Sequence, residues 1–478
     1  MLRMIGRKAH LSPVDTAWLR MEHPTNLMMI TGIFMFDELL DFDTLRSTLS
    51  ERLLRFDRFR QKVVRPLIPF APPYWEFDPD FDLDAHLHRI ALPAPGDRQA
   101  LEHLVNDFMS TPLDSTKPLW QFHLVENYGD GCALLCRLHH CIADGIALVR
   151  VLLGLTEDEP REDSDGLDSE GSNQSEQMPG DENSGGKPSE KKAKGRPGSI
   201  FKQGLDFLSD PVRVRDSTTL GVDSAAALAR LLLLSPDPET PFKGPLGVRK
   251  RCAWSRPIPL SQVKEVGKVT GGTVNDVLLS IVTGALGRYL RSQGEAIGGL
   301  EFRAAVPVNL RPLDEELTLG NSFGLIFLPL PVGIDDPIDR LYELKRRMDQ
   351  LKGTPEAIVA FGILNAIGIT SPEIEDVVVN LFGSKATAIM TNVPGPREVR
   401  YLAGKAIRGV MVWVPQTGRL GLGVSILSYA GDVLVGIATD AGLTPDPGRI
   451  VDAIHVEFEA YVDLVSQANE LDGSGLAT

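Results

Sequence analysis

Two adjacent histidines, His139 and His140, follow the apolar run Cys132–Leu138, and Asp144 and Gly145 come shortly after them. Because successive side chains of a strand point to opposite faces, only one imidazole can meet a substrate while the other packs behind it. An acid four residues on can fold back after a tight turn to fix an imidazole or its surroundings. The spacing therefore suits a general base that takes a proton from a hydroxyl or an amine, without a serine or cysteine nucleophile.

Two other interpretations of the same residues stay open. Asp144 can cap a helix, because the segment Gly145–Leu153 has helical apolar spacing. The histidines can also be metal ligands, but a metal site needs further ligands and the sequence has no second His or Cys cluster, so no metal is expected. Cys141, next to the histidines, is poorly placed to act as a thiolate nucleophile.

The histidine motif resembles the active-site motif of the chloramphenicol acetyltransferase-like, CoA-dependent acyltransferase superfamily. Further segments narrow the resemblance to the bacterial wax ester synthase/diacylglycerol acyltransferase family. In chain order they are Leu11–Asp15 with Trp18, Glu22 and Pro24; Pro118–Trp120; Thr273–Asp276; Arg303–Arg311; Gly320–Asn321; and Thr391–Pro396. The ordered set is more specific than the histidine motif alone, which peptide-condensation domains and plant acyltransferases share.

The resemblance implies an α/β fold of the mixed α+β kind, with two chloramphenicol acetyltransferase-like subdomains and a tunnel at their interface. Residues 156–199 contain twelve acids and six bases, are rich in Ser, Gly, Asn and Pro, and lack aromatic residues. Such a segment cannot bury enough apolar surface to offset its ordering entropy. We therefore expect an N-terminal subdomain at 1–155, an acidic flexible linker at 156–199, and a C-terminal subdomain at 200–478 with a helical crossover near 200–240.

The resemblance also implies roles for the residues of the histidine motif. His140 is the expected general base, and His139, counted with the catalytic candidates, is expected on the opposite face as a packing or hydrogen-bonding residue. Asp144, the third candidate, is expected to pair with an arginine and so to hold the catalytic loop in place. Arg311 and Arg303 are the two arginines considered for this pair.

Asn275 is the expected donor to the tetrahedral oxyanion, since an amide N–H suits that task. The same stretch can equally be a helix N-terminus capped by Thr273 or by Asn275 itself. Gly145 and Asp276 are counted among the substrate-binding candidates, although Asp276 is also expected to be structural. Trp120 is expected to be a packing residue.

The segment Ile358–Ile369 is apolar on all sides and carries the small residues Ala360, Gly362, Ala366 and Gly368. Small side chains leave room beside a helix, so this segment, and in it Ala360, Gly362 and Ala366, is a candidate for the wall of a channel that binds the acyl acceptor. Close packing of the helix against a neighbour is an equally good interpretation.

The elements that must position these residues follow from hydrophobic periodicity. Trp120–Glu126 alternates, and Gly129 and Gly131 turn the chain into the strand that ends at His140, which predicts an antiparallel hairpin. The other predicted elements are a helix over Asp43–Leu54, helices from Leu260 and Val274, a strand over Phe302–Val308, a helix over Pro337–Leu351, and strands at the end of the chain.

Composition bounds the class of protein. The chain has 478 residues, of which 43% are hydrophobic and 24% charged, an ordinary globular balance with length enough for two cores. Its net charge of −15 argues against a nucleic-acid surface. Four cysteines without a C-x-x-C pair predict buried thiols in a reducing compartment.

The N-terminus does not resemble a secretory signal, and no window reaches the ~18–20 apolar residues of a spanning helix. We expect a cytoplasmic protein and leave open a peripheral contact with the inner membrane or with lipid droplets and other lipid inclusions.

The expected activity is CoA-dependent O-acyl transfer, which forms wax esters from long-chain fatty alcohols and triacylglycerol from diacylglycerol. Acyl-CoA is then a substrate, and no bound cofactor is expected. A condensation-type, amide-forming enzyme of the superfamily is one rival, although it predicts carrier modules that this sequence does not contain. A catalytically silent lipid-binding protein of the same fold is the other.

Two further motifs are weaker. Gly320–Gly324 fits the G-x-S-x-G elbow of lipases, but that motif needs a helix after it, and the proline-containing Leu325–Val332 predicts a strand. Asp78–Asp84 is acidic but lacks the glycine and the final acid of a calcium-binding loop.

Overall fold

The computed structural model describes residues 9–67, 71–160, 217–311, 319–352, 354–416 and 420–474. The predicted acidic linker lies outside these residues from 161 onward, as does the first part of the predicted helical crossover. The domain boundaries therefore stay predictions.

Seventeen strands are present in the described residues: β1 Ala9–His10, β2 Met29–Phe36, β3 Gln61–Val64, β4 Tyr74–Phe77, β5 Leu87–Ala91, β6 Trp120–Tyr128, β7 Gly131–His139, β8 Lys250–Trp254, β9 Ile258–Pro259, β10 Phe302–Asn309, β11 Phe323–Leu330, β12 Ala388–Pro394, β13 Tyr401–Leu402, β14 Lys405–Ala406, β15 Gly409–Trp413, β16 Leu422–Tyr429 and β17 Asp432–Asp440.

The α-helices of the same residues are α1 Pro13–Arg20, α2 Phe42–Thr48, α3 Arg98–Met109, α4 Gly145–Gly154, α5 Ser217–Leu233, α6 Leu260–Thr270, α7 Val274–Ser292, α8 Pro337–Lys352, α9 Glu356–Gly368, α10 Pro372–Gly383 and α11 Gly448–Ser474. A π-helical turn, Leu49–Leu53, continues α2, and 3-10 turns occupy Asp57–Arg60 and Leu83–Ala85.

Two large sheets form the framework. The first has five strands in the order β15-β2-β7-β6-β5, and the second has the order β11-β10-β12-β16-β17-β8 with β9 also paired to β17. Each sheet combines parallel and antiparallel pairs, for example parallel β5–β6 in the first and parallel β12–β16 in the second. The predicted mixed α/β fold is confirmed.

The C-terminal half of the chain contributes one strand to the N-terminal sheet. β15 belongs to the C-terminal half but pairs antiparallel with β2, with Gly409 opposite Met35 and Trp413 opposite Thr31. The N-terminal sheet is therefore completed by a strand from far along the sequence.

The predicted hairpin that carries the histidines is confirmed. β6 and β7 pair antiparallel, with Trp120 opposite Leu138, and every residue of β7 is buried. Trp120 is buried and its indole N–H donates to the Phe59 carbonyl at 2.9 Å, while the His139 N–H donates to the Leu119 carbonyl at 3.0 Å. The Pro118–Trp120 motif is thus a packing element that also positions the end of β7.

The other predicted helices and strands occur where periodicity places them, with one exception. The last described element is the long helix α11, not a strand. Its residues Ile450, Ile454 and Tyr461 are spaced at helical intervals and are fully buried. The predicted strands end with β17 at Asp440, and the segment that follows has the apolar period of a helix, so the prediction was wrong for the end of the chain.

Helix α9 lies between α1 and β11 at very short range. A Cβ atom at Gly368 would overlap the carbonyl group of Pro13, and one at Gly324 would overlap the carbonyl group of Ala357. Backbone therefore contacts backbone at both ends of α9, and glycine is the residue that permits such an approach.

No single helix among the described residues has the length and apolarity to cross a membrane. The pair α6 and α7, bent by 99° at their junction, meets those two criteria only when taken together.

Candidate active site

His140 is the first residue after β7, and its ring packs against two aromatic side chains. It stacks on Trp18 with ring centroids 4.1 Å apart and planes 20° apart, and its centroid is 5.7 Å from that of Phe323. Its backbone N–H donates to the Met28 carbonyl at 2.8 Å, and its carbonyl accepts from the side-chain amide of Asn321 at 2.8 Å. Both the ring and the main chain of His140 are therefore fixed.

The surroundings keep His140 uncharged. Burial, and after it the neighbouring His139, lower the pKa of His140 to about 3, because a low-dielectric environment disfavours the imidazolium. Its Nδ1 atom is buried and has no hydrogen-bond partner among the described residues. At neutral pH the ring is therefore able to accept a proton.

His139 has different surroundings. Its Nε2 contacts the Glu22 carboxylate, and its Nδ1 accepts the backbone N–H of Cys141 at 3.1 Å. Burial alone lowers the pKa of His139, but Cys141 and Glu22 outweigh burial and raise it to about 10. For Glu22, burial raises the pKa and the hydrogen bond from His139 outweighs it, so the pKa of this carboxyl is lowered. His139 is thus a bonded support behind His140.

Asp144 connects three segments. Its contacts fit two of the interpretations given above, since it both caps a helix and pairs with an arginine. One carboxylate oxygen caps α4 by accepting the N–H of its third residue at 2.9 Å. The other accepts the Ser322 N–H at 3.0 Å and lies 2.9 Å from the guanidinium of Arg311. Of the two arginines considered, Arg311 is the partner, whereas Arg303 pairs with Asp237 at 2.8 Å.

Asp15 and Asn321 form a second clamp that the sequence did not indicate. The Asn321 backbone and side-chain amides donate to Asp15 at 3.2 and 2.7 Å, and the same side chain holds the His140 carbonyl. Burial raises the pKa of Asp15, and the hydrogen bonds from Asn321 partly offset this. Both residues belong to the family-like segments, and that membership was the available signal.

Two cavities meet at Trp18. The histidine cavity is partly open to solvent, has a volume of about 690 Å³ with that open space included, and is lined by Trp18, His140, Asp144, Gly145, Ile146, Pro307, Asn309, Phe323, Ile389, Thr391, Asn392, Val393, Val414 and Pro415. The apolar cavity is also partly open, has a volume of about 680 Å³ on the same basis, and is lined by Trp18, Met21, Ala305, Leu325, Phe327, Ala360, Ile363, Leu364, Ile367, Val378, Val379, Phe382, Gly383, Ala386 and Leu420.

The predicted substrate-binding residues do not lie together in one cavity. Gly145 lines the histidine cavity, and Ala360 lines the apolar cavity. Gly362 and Ala366 instead lie on the exposed face of α9 and line neither cavity, so the structure does not bring these two residues together with Ala360. The helix turns the side chains at positions 360, 363, 364 and 367 to the cavity, which is the regular helical stripe.

Asn275 and Asp276 lie at the start of α7, outside the lining of both cavities. The helix cap is Thr273, which forms a reciprocal capping box with Asp276, so that one carboxylate oxygen of Asp276 is already engaged. Asn275 accepts a hydrogen bond of 2.9 Å from the amide of Asn392, which does line the histidine cavity. Direct contacts of Asn275 and Asp276 with a substrate stay predictions.

Other chemistries find no support near His140. Strand β11 directly follows Ser322, where a lipase elbow requires a helix. In the described part of the chain, no group of three or more His, Cys, Asp or Glu side chains could hold a metal ion. All four cysteines are buried as free thiols, as predicted.

Comparison with known proteins identifies the class that this fold and site belong to. The catalytic domain of the wax ester synthase/diacylglycerol acyltransferase family matches residues 11–278, and the C-terminal domain of the same family matches residues 319–461. The chain belongs to the wax ester synthase/diacylglycerol acyltransferase family.

Individual relatives agree with this assignment. A Mycobacterium tuberculosis protein named probable diacylglycerol O-acyltransferase is 28% identical over 93% of this chain and 94% of its own length. The solved wax ester synthase/diacylglycerol acyltransferase of Marinobacter aquaeolei superposes with a TM-score of 0.66 at 22% identity, covering 95% of this chain and 99% of that one. The first condensation domain of the calcium-dependent antibiotic synthetase gives 0.57 at 14% identity, with 96% of each chain covered. These two structures share the fold of this chain.

Proposed function

We propose that the protein transfers the acyl group of acyl-CoA to the hydroxyl of a lipid, forming wax esters from long-chain fatty alcohols and triacylglycerol from diacylglycerol. The observation that carries the proposal is His140, a buried, neutral imidazole that borders a cavity next to a second, wholly apolar one. The first cavity offers a base to the reacting hydroxyl, and the second offers room for a long chain.

In this reaction His140 is the general base. A ring nitrogen takes the proton of the acceptor hydroxyl as its oxygen attacks the thioester carbonyl carbon. The tetrahedral intermediate then collapses, the carbon–sulfur bond breaks, and the imidazolium returns the proton to the departing CoA sulfur. General base catalysis of this kind contributes roughly 10²–10⁴ in rate.

The oxyanion of the intermediate needs a hydrogen-bond donor, which is worth ~2.7–4 kcal/mol in such sites. Asn275 remains the candidate from the sequence, and its hydrogen bond to Asn392 supports a role shared by the two amides. Asn392 reaches the cavity, and Asn275 fixes the orientation of its side chain. In this scheme Asn275 is a positioning residue.

Asp144 supports the same site without taking part in the proton transfer. Its contacts with Arg311, Ser322 and the start of α4 hold the loop that follows His140. A loss of activity on replacing Asp144 would therefore reflect a displaced loop.

The test is the release of CoA thiol from palmitoyl-CoA with and without hexadecanol or a diacylglycerol. We expect acceptor-dependent release by the wild type, a loss of about 10²–10⁴ in His140→Ala, and no loss in His103→Ala, which removes an exposed histidine of α3. Equal release by the wild type and His140→Ala would overturn the role of His140. A wild type that binds hexadecanol but releases no thiol would identify a silent lipid-binding protein. Thiol release from palmitoyl-CoA with hexadecylamine as acceptor, but not with hexadecanol or a diacylglycerol, would favour the amide-forming rival.

A further inference from the structure

The two cavities lie end to end along one face of the β10–β11 hairpin. On β11, Phe323 borders the histidine cavity, whereas Leu325 and Phe327 border the apolar one. On β10, Pro307 borders the histidine cavity and Ala305 the apolar one. Alternate residues of a strand share a face, so the same surface continues from one cavity into the other.

Trp18 stands at the point where the cavities meet. Among the described residues, it is the side chain that lines both of them. It is 2% exposed, it stacks on the His140 ring, and its ring centroid is 5.8 Å from that of Phe323. The indole is thus a wall between the base and the apolar cavity.

The indole of Trp18 is not held by a hydrogen bond. Its N–H is buried and has no hydrogen-bond partner among the described residues, as is also true of Trp75 and Trp413, whereas the Trp120 N–H donates to a carbonyl. A buried donor without a partner costs free energy. Because Trp18 forms no such bond, its indole can turn without breaking a hydrogen bond. The wall on the other side is fixed, because the backbone of α9 contacts that of α1 and β11.

We propose that Trp18 is the partition between His140 and a site for a long, unbranched alkyl chain in the apolar cavity. The chain reaches the base only past the indole, so the size of the side chain at position 18 determines the chain-length preference. The inference rests on the proposed function for the reaction, and it adds the ligand of the apolar cavity and the residue that controls access to it.

The experiment compares kcat/KM for the wild type, Trp18→Ala and Trp18→Phe in two series. One series varies the alcohol from octanol to octadecanol with palmitoyl-CoA, and the other varies the acyl-CoA over the same lengths with hexadecanol. The series that responds identifies whether the chain in the cavity comes from the acceptor or from the acyl donor. Trp75→Phe is the matched control, because it also removes a buried indole N–H without a partner and lines neither cavity.

We expect the ratio of kcat/KM between long and short chains to rise by at least about tenfold in Trp18→Ala, since a single methylene in an apolar pocket is worth about 10–200-fold. Trp18→Phe should shift the ratio in the same direction and by less, and it serves if the alanine variant does not fold. Ratios within about twofold of the wild type in both series, with Trp75→Phe equally unchanged, would overturn the proposal.

A second pair of variants tests the wall of the apolar cavity that α9 forms. Ala360→Leu fills the apolar cavity and should favour short chains, whereas Gly362→Leu adds the same group on the exposed face of α9 and should change nothing. An equal effect of the two variants would contradict a chain in this cavity.

Binding separates this inference from the proposed function. In the His140→Ala background, the thermal shift caused by alkanols should grow with chain length, and the additional Trp18→Ala change should extend that growth to longer chains. If the wild type transfers no acyl group but this pattern holds, the reaction is wrong and the partition stands. If transfer occurs and the binding of both alkanols and acyl-CoA is indifferent to position 18, the partition is wrong.

Discussion

His139 and His140 are neighbours in the chain, yet their pKa values move in opposite directions. The pKa of the buried His140, which packs against two aromatic rings, falls to about 3, while that of His139, against the Glu22 carboxylate, rises to about 10. Strand alternation separates the two rings, and the surroundings of each ring set the direction in which its pKa moves. A pair of identical residues thereby provides one hydrogen-bonded support and one neutral base.

The low pKa of His140 determines how activity depends on pH. Because the ring stays neutral down to about pH 3, kcat/KM should stay flat as the pH falls from about 8 to about 5. A decline with a midpoint near 6.5, the ordinary histidine value, would show that the ring is not protected.

The free energy of unfolding, unlike kcat/KM, should depend on pH in this range. Between about pH 3 and 6.5 the unfolded chain binds a proton at position 140 that the folded protein does not, so folding weakens as the pH falls below about 6.5. Urea unfolding of His140→Phe should show a smaller loss over this range than the wild type does.

At this scale the sequence predicted His140, Asp144, Gly145 and Ala360, which line the cavities. It did not predict Trp18 or Asn321 as parts of the site. The contact of Asn321 with His140 spans 181 residues, and no local pattern reports such a distance. The sequence also did not separate Ala360 from Gly362 and Ala366, which line neither cavity, because a helix that is apolar all round gives no indication of which face is buried.

Among the elements, the junction at Asp144 ties the start of α4 to the segments after β10 and before β11. The side chains of Asp144 and Arg311 are only 5% and 11% exposed, so the pair is buried. Removing one partner of a buried ion pair leaves an uncompensated charge, which costs more than the pair itself contributes.

Asp144→Asn keeps a residue that caps helices well but leaves Arg311 unpaired. We expect the free energy of unfolding to drop by about 3–5 kcal/mol, measured by urea denaturation. The double variant Asp144→Asn/Arg311→Met should be less destabilised than the sum of the single variants. Strict additivity would mean that the two side chains do not interact.

Periodicity predicted the hairpin β6–β7 and the helices α6, α7 and α8, since each is a long segment with a clear apolar repeat. It failed for α11, whose helical repeat was assigned to strands. It also had no access to strand order, because β12 pairs with β10 and β16 through residues far apart in the chain.

For the whole molecule, the position of β15 makes the N-terminal sheet dependent on the C-terminal half, because that half supplies the strand. Without β15, the strand β2 would be an exposed edge composed largely of buried apolar residues. Edges of this kind pair with other chains and aggregate.

A fragment of residues 1–155 should therefore be insoluble when it is produced alone. Co-production with a fragment of residues 200–478 should restore it to the soluble fraction, because that fragment brings β15. The comparison is made on cell extracts, with the second fragment lacking 409–413 as the control. A soluble, monomeric 1–155 fragment would indicate that the edge is protected in some other way.

The close approach at Gly368 also limits how the enzyme could be re-engineered. A methyl group there would overlap the main chain of Pro13, and a methyl group has no alternative rotamer that would relieve the overlap. Selection for bulkier lipids should accordingly leave position 368 untouched and trim the leucine and isoleucine side chains instead.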